Sequence, residues 1–496
     1  MQKTEIGDSN LHSAQNVKDK AIKSMKWSVL FELMPKIIVP ITTLIFVKIL
    51  LPEDFGIMTI ATIFVGLAGT FQDFGLAKAL VREIENKEES ADVVFWSNVV
   101  LSAVIYFLIF ISAPLISLFF KEPRLTDVLR VLCLEIVVSS LIAVQYAILQ
   151  RDFKFKKIFL SGIGFVVAPI FITVPLAILH FGVWALVLGS LSGYVVQAII
   201  LWVQSDWRPK FRFSIPVAKK IFNFGAWVTA ESFILWLLSY GDSGAIGYFL
   251  DVKDVGIYYI GLTFITLIFG TMFNPILSVA YSSFSKLQNS PDDLRNFFVR
   301  SSHLLAILCI PMGAGLILTA FPVYTIFFQN NWAGIQVVIA LLAAVQMVAW
   351  LVGISPTLYR AIGRPDINFK IGVASLFFYI PAYIYFAQFG LFIFCVGRLL
   401  VAIGTDIIHL VVMNRVLKIH PRYLFDITKI PLLAVIPMSI LVYFAVNFSG
   451  SFLGWLGALK LLGIIVLGAG VYAGALYLIS KEYFKQSFSL FLKIIR

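Results

Sequence analysis

Charge is scarce in this chain. Only 13% of its 496 residues are Asp, Glu, Lys or Arg, against about 25% in an average soluble domain. A water-soluble chain of this length needs a polar shell around two or three cores, and the residues to build one are missing. Cysteine is nearly absent: Cys133, Cys309 and Cys395 each lie in an apolar run, which argues against a disulfide framework and against a metal site. Strand-like alternation of apolar and polar residues is lacking as well, which argues against a β-barrel. Residues 1–26 have neither an apolar core nor a small-residue cleavage site, so no signal peptide is expected there.

What remains is apolar: 60% of the residues are hydrophobic and the mean hydropathy is +0.92. A membrane-crossing helix needs about 20 apolar residues, so the runs predict an all-α polytopic membrane protein with about fourteen spans. The first predicted span covers 27–50, the seventh 225–249, the tenth 333–358 and the twelfth 389–414. The net charge of +12 is unevenly placed. With both termini cytoplasmic, about 31 of the 39 Lys and Arg fall on the inner side and about five on the outer. That imbalance explains the charge without nucleic acid. Lys36, Arg398 and Lys460 are the three that lie inside apolar runs. Basic and aromatic residues alternate in RDFKFKK (151–157), in 208–224 and in the last residues, a pattern that suits an anionic inner leaflet. No predicted outer loop is long enough to form a domain.

A faint repeat runs at an offset of 200. Trp27 matches Trp227, Asp54 matches Asp254, and Gly56-Ile57 matches Gly256-Ile257, followed by Ile60, Phe64 and Leu67 against Ile260, Phe264 and Leu267. LQR at 149–151 and LYR at 358–360 each follow the fourth span of their half. An even offset in spans gives both halves one orientation, the parallel-repeat plan. The expected organisation is a cytoplasmic tail (1–26), an N-lobe (27–203), a linker with an interfacial segment (204–224) and a C-lobe (225–414). A loop (415–427), two extra spans (428–480) and an amphipathic tail (481–496) follow.

The stretch LPEDFGIMTIATIFVGLAGTFQDFGLAKALVRE (51–83) resembles the second-span signature of bacterial oligosaccharide flippases of the polysaccharide transport family. LQRDFKFKKI (149–158) is similar to the segment after their fourth span. GDSGAIGYFLDVKDVGIYYIG (241–261) is similar to their seventh-to-eighth span junction, with Asp242 at the family's acidic position. The likeness is greatest to the Wzx-like exporters of the colanic-acid type, with multidrug antiporters and lipid II flippases as wider kin. The resemblance implies two six-helix lobes around a central cavity that opens alternately to either side of the bacterial cytoplasmic membrane. It implies an undecaprenyl-pyrophosphate-linked oligosaccharide as cargo, a polysaccharide polymerase and chain-length regulator as partners, and no cofactor.

Ionisable residues inside apolar runs are the candidate transport residues, because each costs about 2.5–3.5 kcal/mol if it faces lipid. They are Glu32, Lys36, Asp73, Glu135, Glu231, Asp242, Arg398, Asp406 and His409. Lys36 and Arg398 are the candidate cargo-binding cations. Arg398 carries a permanent charge and a fork that fits phosphate; its alternative is pairing with a carboxylate such as Asp406 or Glu231. Glu32 lies four residues before Lys36, the favourable order for a helix ion pair. Pro35 and Pro40 suggest a bend in the same span. Asp73, Glu231 and Asp242 are candidates for proton or cation coupling, with helix–helix hydrogen bonding as the alternative. Asp406 and His409, three apart, read as a relay or a structural pair. Two competing functions are a drug or sodium-type antiporter on the same fold and, from another class, a polytopic glycosyltransferase or ligase. The second tempts through Glu53-Asp54. However, Asp54-Gly56 recurs as Asp254-Gly256, which reads as a helix start with Asp as the cap.

Overall fold

The computed structural model describes residues 27, 30–31, 34–36, 38–73, 87–212, 214–349, 353–419 and 421–485. Apart from short turns and one 3-10 turn at Asn330–Trp332, all regular structure among them is α-helical. The helices are α1 Met34–Val47, α2 Pro52–Asp73, α3 Lys87–Phe119, α4 Leu125–Leu132, α5 Leu134–Arg151, α6 Phe155–Ile178, α7 Val183–Gln204 and α8 Ile215–Phe249. They continue as α9 Val252–Leu287, α10 Pro291–Phe327, α11 Ile335–Ala349, α12 Ser355–Ala361, α13 Pro365–Ala387, α14 Leu391–Leu417, α15 Pro421–Phe448 and α16 Gly454–Ile479. Eleven spans among the described residues are long and apolar enough to cross a membrane. The expected fourteen are not reached there: α1 and α11 are shorter apolar helices, and α8, the expected seventh span, is not among the eleven. Within the expected tenth span, 333–358, α11 is described to Ala349, and Gly353 and Ile354 form a turn before α12, where Pro356 stands in the first turn. The seventh begins ten residues early, because the helix already starts at Ile215.

The repeat is visible in where the helices start. α2 begins at Pro52 and α9 at Val252, and Ile57, Ile60, Ile257 and Ile260 are all buried. Both starts use a carboxylate, though not the same one. Asp54 Oδ2 accepts the Leu51 N–H at 3.1 Å, the reach-back half of a capping box. In the second half Asp251 is the cap and its Oδ1 accepts the Asp254 N–H at 2.9 Å. Asp54 also lies against Gly182, whose φ is +56° and whose added Cβ would meet Asp54 Oδ1 at 2.9 Å. Asp54→Ala is therefore expected to lower stability by about 1 kcal/mol, the value of a lost cap. Asp54→Asn, which still accepts, should lose less. Thermal unfolding of the detergent-solubilised protein followed by tryptophan fluorescence checks the order.

Two compact units, residues 1–237 and 238–496, divide within α8. In the first, Ala91, Val94 and Phe95 of α3 pack on Val144 and Ala147 of α5. α6 and α7 approach closely: a Cβ at Gly193 would lie 2.7 Å from the Phe165 carbonyl oxygen, the small-residue contact by which lipid-embedded helices pack. The start of the basic-aromatic stretch is tied down beside α3. The Lys210 N–H reaches Asp92 Oδ1 at 3.0 Å, Trp96 Nε1 donates to the Lys210 carbonyl at 3.0 Å, and Phe211 stacks on Trp96.

In the second unit, an apolar cavity of about 570 Å³ opens between α9, α10, α15 and α16, lined among others by Met272, Leu308, Met312, Met438 and Leu476. Tyr472 Oη crosses from α16 to the Ile307 carbonyl at 3.1 Å. Lys460, one of the cations inside an apolar run, turns back to the end of α15, donating to the carbonyls of Ser449 at 2.9 Å and Ser451 at 3.3 Å. There it satisfies acceptors that a helix end leaves open.

Candidate functional site

Asp242 stands in α8, seven residues before that helix ends at Phe249, and only 1% of it is exposed. Arg398 stands seven residues into α14. At 1.5 Å per residue both lie about 10 Å inside their helix ends. Arg398 Nη1 donates to Asp242 Oδ2, forming an ion pair. The same oxygen accepts the hydroxyl of Tyr258, on α9, at 2.6 Å. Asp242 Oδ1 accepts the Ser243 N–H at 2.6 Å and the Ser243 hydroxyl at 3.2 Å. A carboxylate has about four acceptor positions, and here four donors approach it.

Tyr258 plays two parts. Its hydroxyl serves Asp242 while its ring lies 5.5 Å from the Arg398 guanidinium carbon, within cation–π range. The ring is fully buried and meets Phe394 edge-on at 5.6 Å, and Phe394 packs on Tyr383 of α13 at 5.3 Å. Aromatic walls from three helices thus surround one carboxylate and one guanidinium. Removing either charge alone would strand the other in a poorly solvated place, at about 3–5 kcal/mol.

The remaining candidates fall as follows. Asp406 lies two turns beyond Arg398 on α14, half-buried, and its Oδ2 has no hydrogen-bond partner. Eight residues of helix, about 12 Å, separate it from Arg398, and Arg398 pairs with Asp242 rather than with Asp406 or Glu231. His409 Nδ1 is likewise buried without a partner, so neither atom serves a relay between the two. Glu231 on α8 and Lys36 on α1 are exposed. Asp73 is the last residue of α2, and Glu32 lies outside the described residues. Glu135 on α5 is buried, with Oε1 unpartnered. No group of three or more His, Cys, Asp or Glu capable of holding a metal occurs among the described residues.

Tyr258, Ser243, Tyr383 and Phe394 were not among the sequence candidates. For Tyr258 a signal existed: the repeat puts Met58 at the matching place, so the second half carries a hydroxyl where the first has a thioether.

Residues 45–337 match the family described as polysaccharide biosynthesis protein. The chain belongs to that family. The chain is 26% identical over 406 residues to the lipopolysaccharide biosynthesis protein WzxC of Escherichia coli (strain K12), covering 80% of this chain and 82% of WzxC. It is 24% identical over 326 residues to the succinoglycan biosynthesis transport protein ExoT of Rhizobium meliloti (strain 1021), spanning just under two thirds (65%) of each chain. In fold it is similar to a solved structure of the lipid II flippase MurJ in an inward closed conformation. The TM-score is 0.72 and the identity 16%, over 92% of this chain and 99% of that one. The family match covers α2 through α10 in full and with them Asp242 and Tyr258; Arg398 lies beyond it.

Proposed function

We propose that this protein moves a lipid-linked oligosaccharide from the inner to the outer leaflet of the bacterial cytoplasmic membrane by alternating access. The observation that carries the reading is Arg398, a permanently charged group set among buried aromatic rings of a membrane-helical polysaccharide biosynthesis protein. A diphosphate with about two negative charges does not cross hydrocarbon unaided, and a guanidinium fork matches its oxygens. WzxC and ExoT, named for lipopolysaccharide biosynthesis and succinoglycan transport, support a saccharide cargo. The apolar cavity between α9, α10, α15 and α16 suits a hydrocarbon chain.

On this reading Arg398 and Lys36 are the cations that meet the diphosphate, one from each proposed lobe (27–203 and 225–414). Asp242, with Glu32, Asp73, Glu231 and Asp406 as the other carboxylates, links transport to a proton or cation gradient. Both termini face the cytoplasm, and a polymerase and chain-length regulator take the cargo onward.

The test is restoration of surface polysaccharide in a flippase-deficient strain, with membrane abundance followed by blot. Arg398→Ala removes a charge-assisted contact worth about 1.5–3 kcal/mol, roughly ten- to hundredfold in cargo affinity. Arg398→Lys should fall between Ala and wild type, because the charge survives and the fork does not. Lys36→Ala should also reduce export. Full export by well-inserted Lys36→Ala and Arg398→Ala proteins would contradict an anionic cargo and favour a drug antiporter.

A further inference from the structure

The group that holds Arg398 is chemically a stand-in for the cargo: an oxyanion accepting a guanidinium N–H. We propose that Asp242 is a built-in competitor for Arg398, occupying it when cargo is absent and displacing the diphosphate at release. This inference rests on the lipid-diphosphate reading of the cargo.

The contacts of the two residues are unequal. Asp242 is 1% exposed, and without Arg398 it keeps three donors: the Tyr258 hydroxyl, the Ser243 N–H and the Ser243 hydroxyl. Arg398 is 19% exposed, and Asp242 is its one carboxylate partner among the described residues. Arg398 is therefore the half of the pair that can leave, and Asp242 is the half built to stay. The two sit on different helices, α8 and α14, 156 residues apart in sequence, so a small movement between those helices opens or closes the contact. The guanidinium has five N–H donors, and the Asp242 contact engages Nη1.

Competition answers a problem of release. A cation in an apolar setting strong enough to take up a diphosphate would also retain it. When a carboxylate holds the cation for most of the time, apparent affinity falls in proportion to the free fraction of the cation. A free fraction of one tenth weakens binding about tenfold, and the carboxylate re-forms its pair as soon as the anion begins to leave.

The experiment measures equilibrium binding of radiolabelled farnesyl diphosphate to the full-length protein in lipid nanodiscs. Asp242→Asn is expected to bind about tenfold more tightly than wild type and Arg398→Gln at least tenfold more weakly. The double variant should match Arg398→Gln, because a competitor has no effect once its target is gone. Tyr258→Phe keeps both charges and the ring but removes one donor from Asp242. Its carboxylate then holds Arg398 harder, so binding should weaken a few-fold. If Asp242→Asn binds as wild type or more weakly while Arg398→Gln weakens, Asp242 merely positions Arg398 and the competitor idea is overturned. If Asp242→Asn is not monodisperse, Tyr258→Phe decides, and unchanged or tighter binding there overturns it. Binding that is indifferent to Arg398→Gln removes the diphosphate reading itself, a separate outcome.

Discussion

Arg398→Glu is expected to abolish surface polysaccharide in the complementation assay, a larger loss than Arg398→Ala or Arg398→Lys. The structure supplies the reason. The introduced carboxylate would face Asp242 Oδ2 at the place where a guanidinium now donates, on a side chain that is only 1% exposed. Two carboxylates in such a site cannot both stay ionised, so one must take up a proton, and the site keeps its hydrogen bonds while losing its cation. An approaching diphosphate would then meet one negative charge in place of a balanced pair, a reversal of sign where wild type offers attraction. Export should fall to the level of the empty vector, with the protein still found in the membrane fraction. Retained export at normal abundance would show that no anion passes Arg398.

The fold was legible because its signals are local or periodic. Long apolar runs announce spans, and the scarcity of charge leaves few other readings. Asp54 and Asp254 marked true helix starts, since capping depends on residues within one turn. The identity of the cap was harder to see: Asp251, three residues earlier, does in the second half what Asp54 does by reaching back in the first. Lengths were less legible. Hydropathy does not register a helix that continues into a polar stretch, as α8 does from Ile215, or one that is interrupted, as the tenth run is by the turn at Gly353 and Ile354.

The site was half legible. Sequence alone could say that Asp242 and Arg398 needed partners, because a lone charge in an apolar run is costly. It could not say that each is the other's partner, because 156 residues separate them and the pairing is a product of helix packing. Asp406 and Glu231 were the carboxylates the sequence offered Arg398, yet eight residues of helix put Asp406 two turns away and Glu231 is exposed. The aromatic walls were invisible for a different reason. In a chain with 46 Phe and 18 Tyr, composition does not distinguish a tyrosine that completes a carboxylate's hydrogen bonds from one that faces lipid.

A paired neutralisation separates architecture from transport most sharply. Asp242→Asn alone leaves the Arg398 charge without its carboxylate, and Arg398→Gln alone leaves Asp242 without its cation. Each should lower stability by about 3–5 kcal/mol, because the surviving charge is poorly solvated. Changing both at once removes both charges and their desolvation together. The carbonyl oxygen of the introduced asparagine can still accept the Tyr258 hydroxyl, and its amide can donate to the Ser243 hydroxyl, while the Ser243 N–H loses its side-chain acceptor. The amide of the introduced glutamine can donate to the asparagine carbonyl oxygen in place of the guanidinium. Removing one partner of a buried pair strands the other's charge, a cost that removing both charges together avoids. The double variant should therefore recover most of what either single change loses, an interaction energy well beyond the roughly 0.5 kcal/mol expected of independent sites. Thermal unfolding in detergent measures the recovery, and the export assay measures function on the same proteins. If the pair serves only to hold α8 and α14 together, export should return along with stability. If Arg398 handles the cargo's diphosphate, the double variant should be stable, abundant and unable to export.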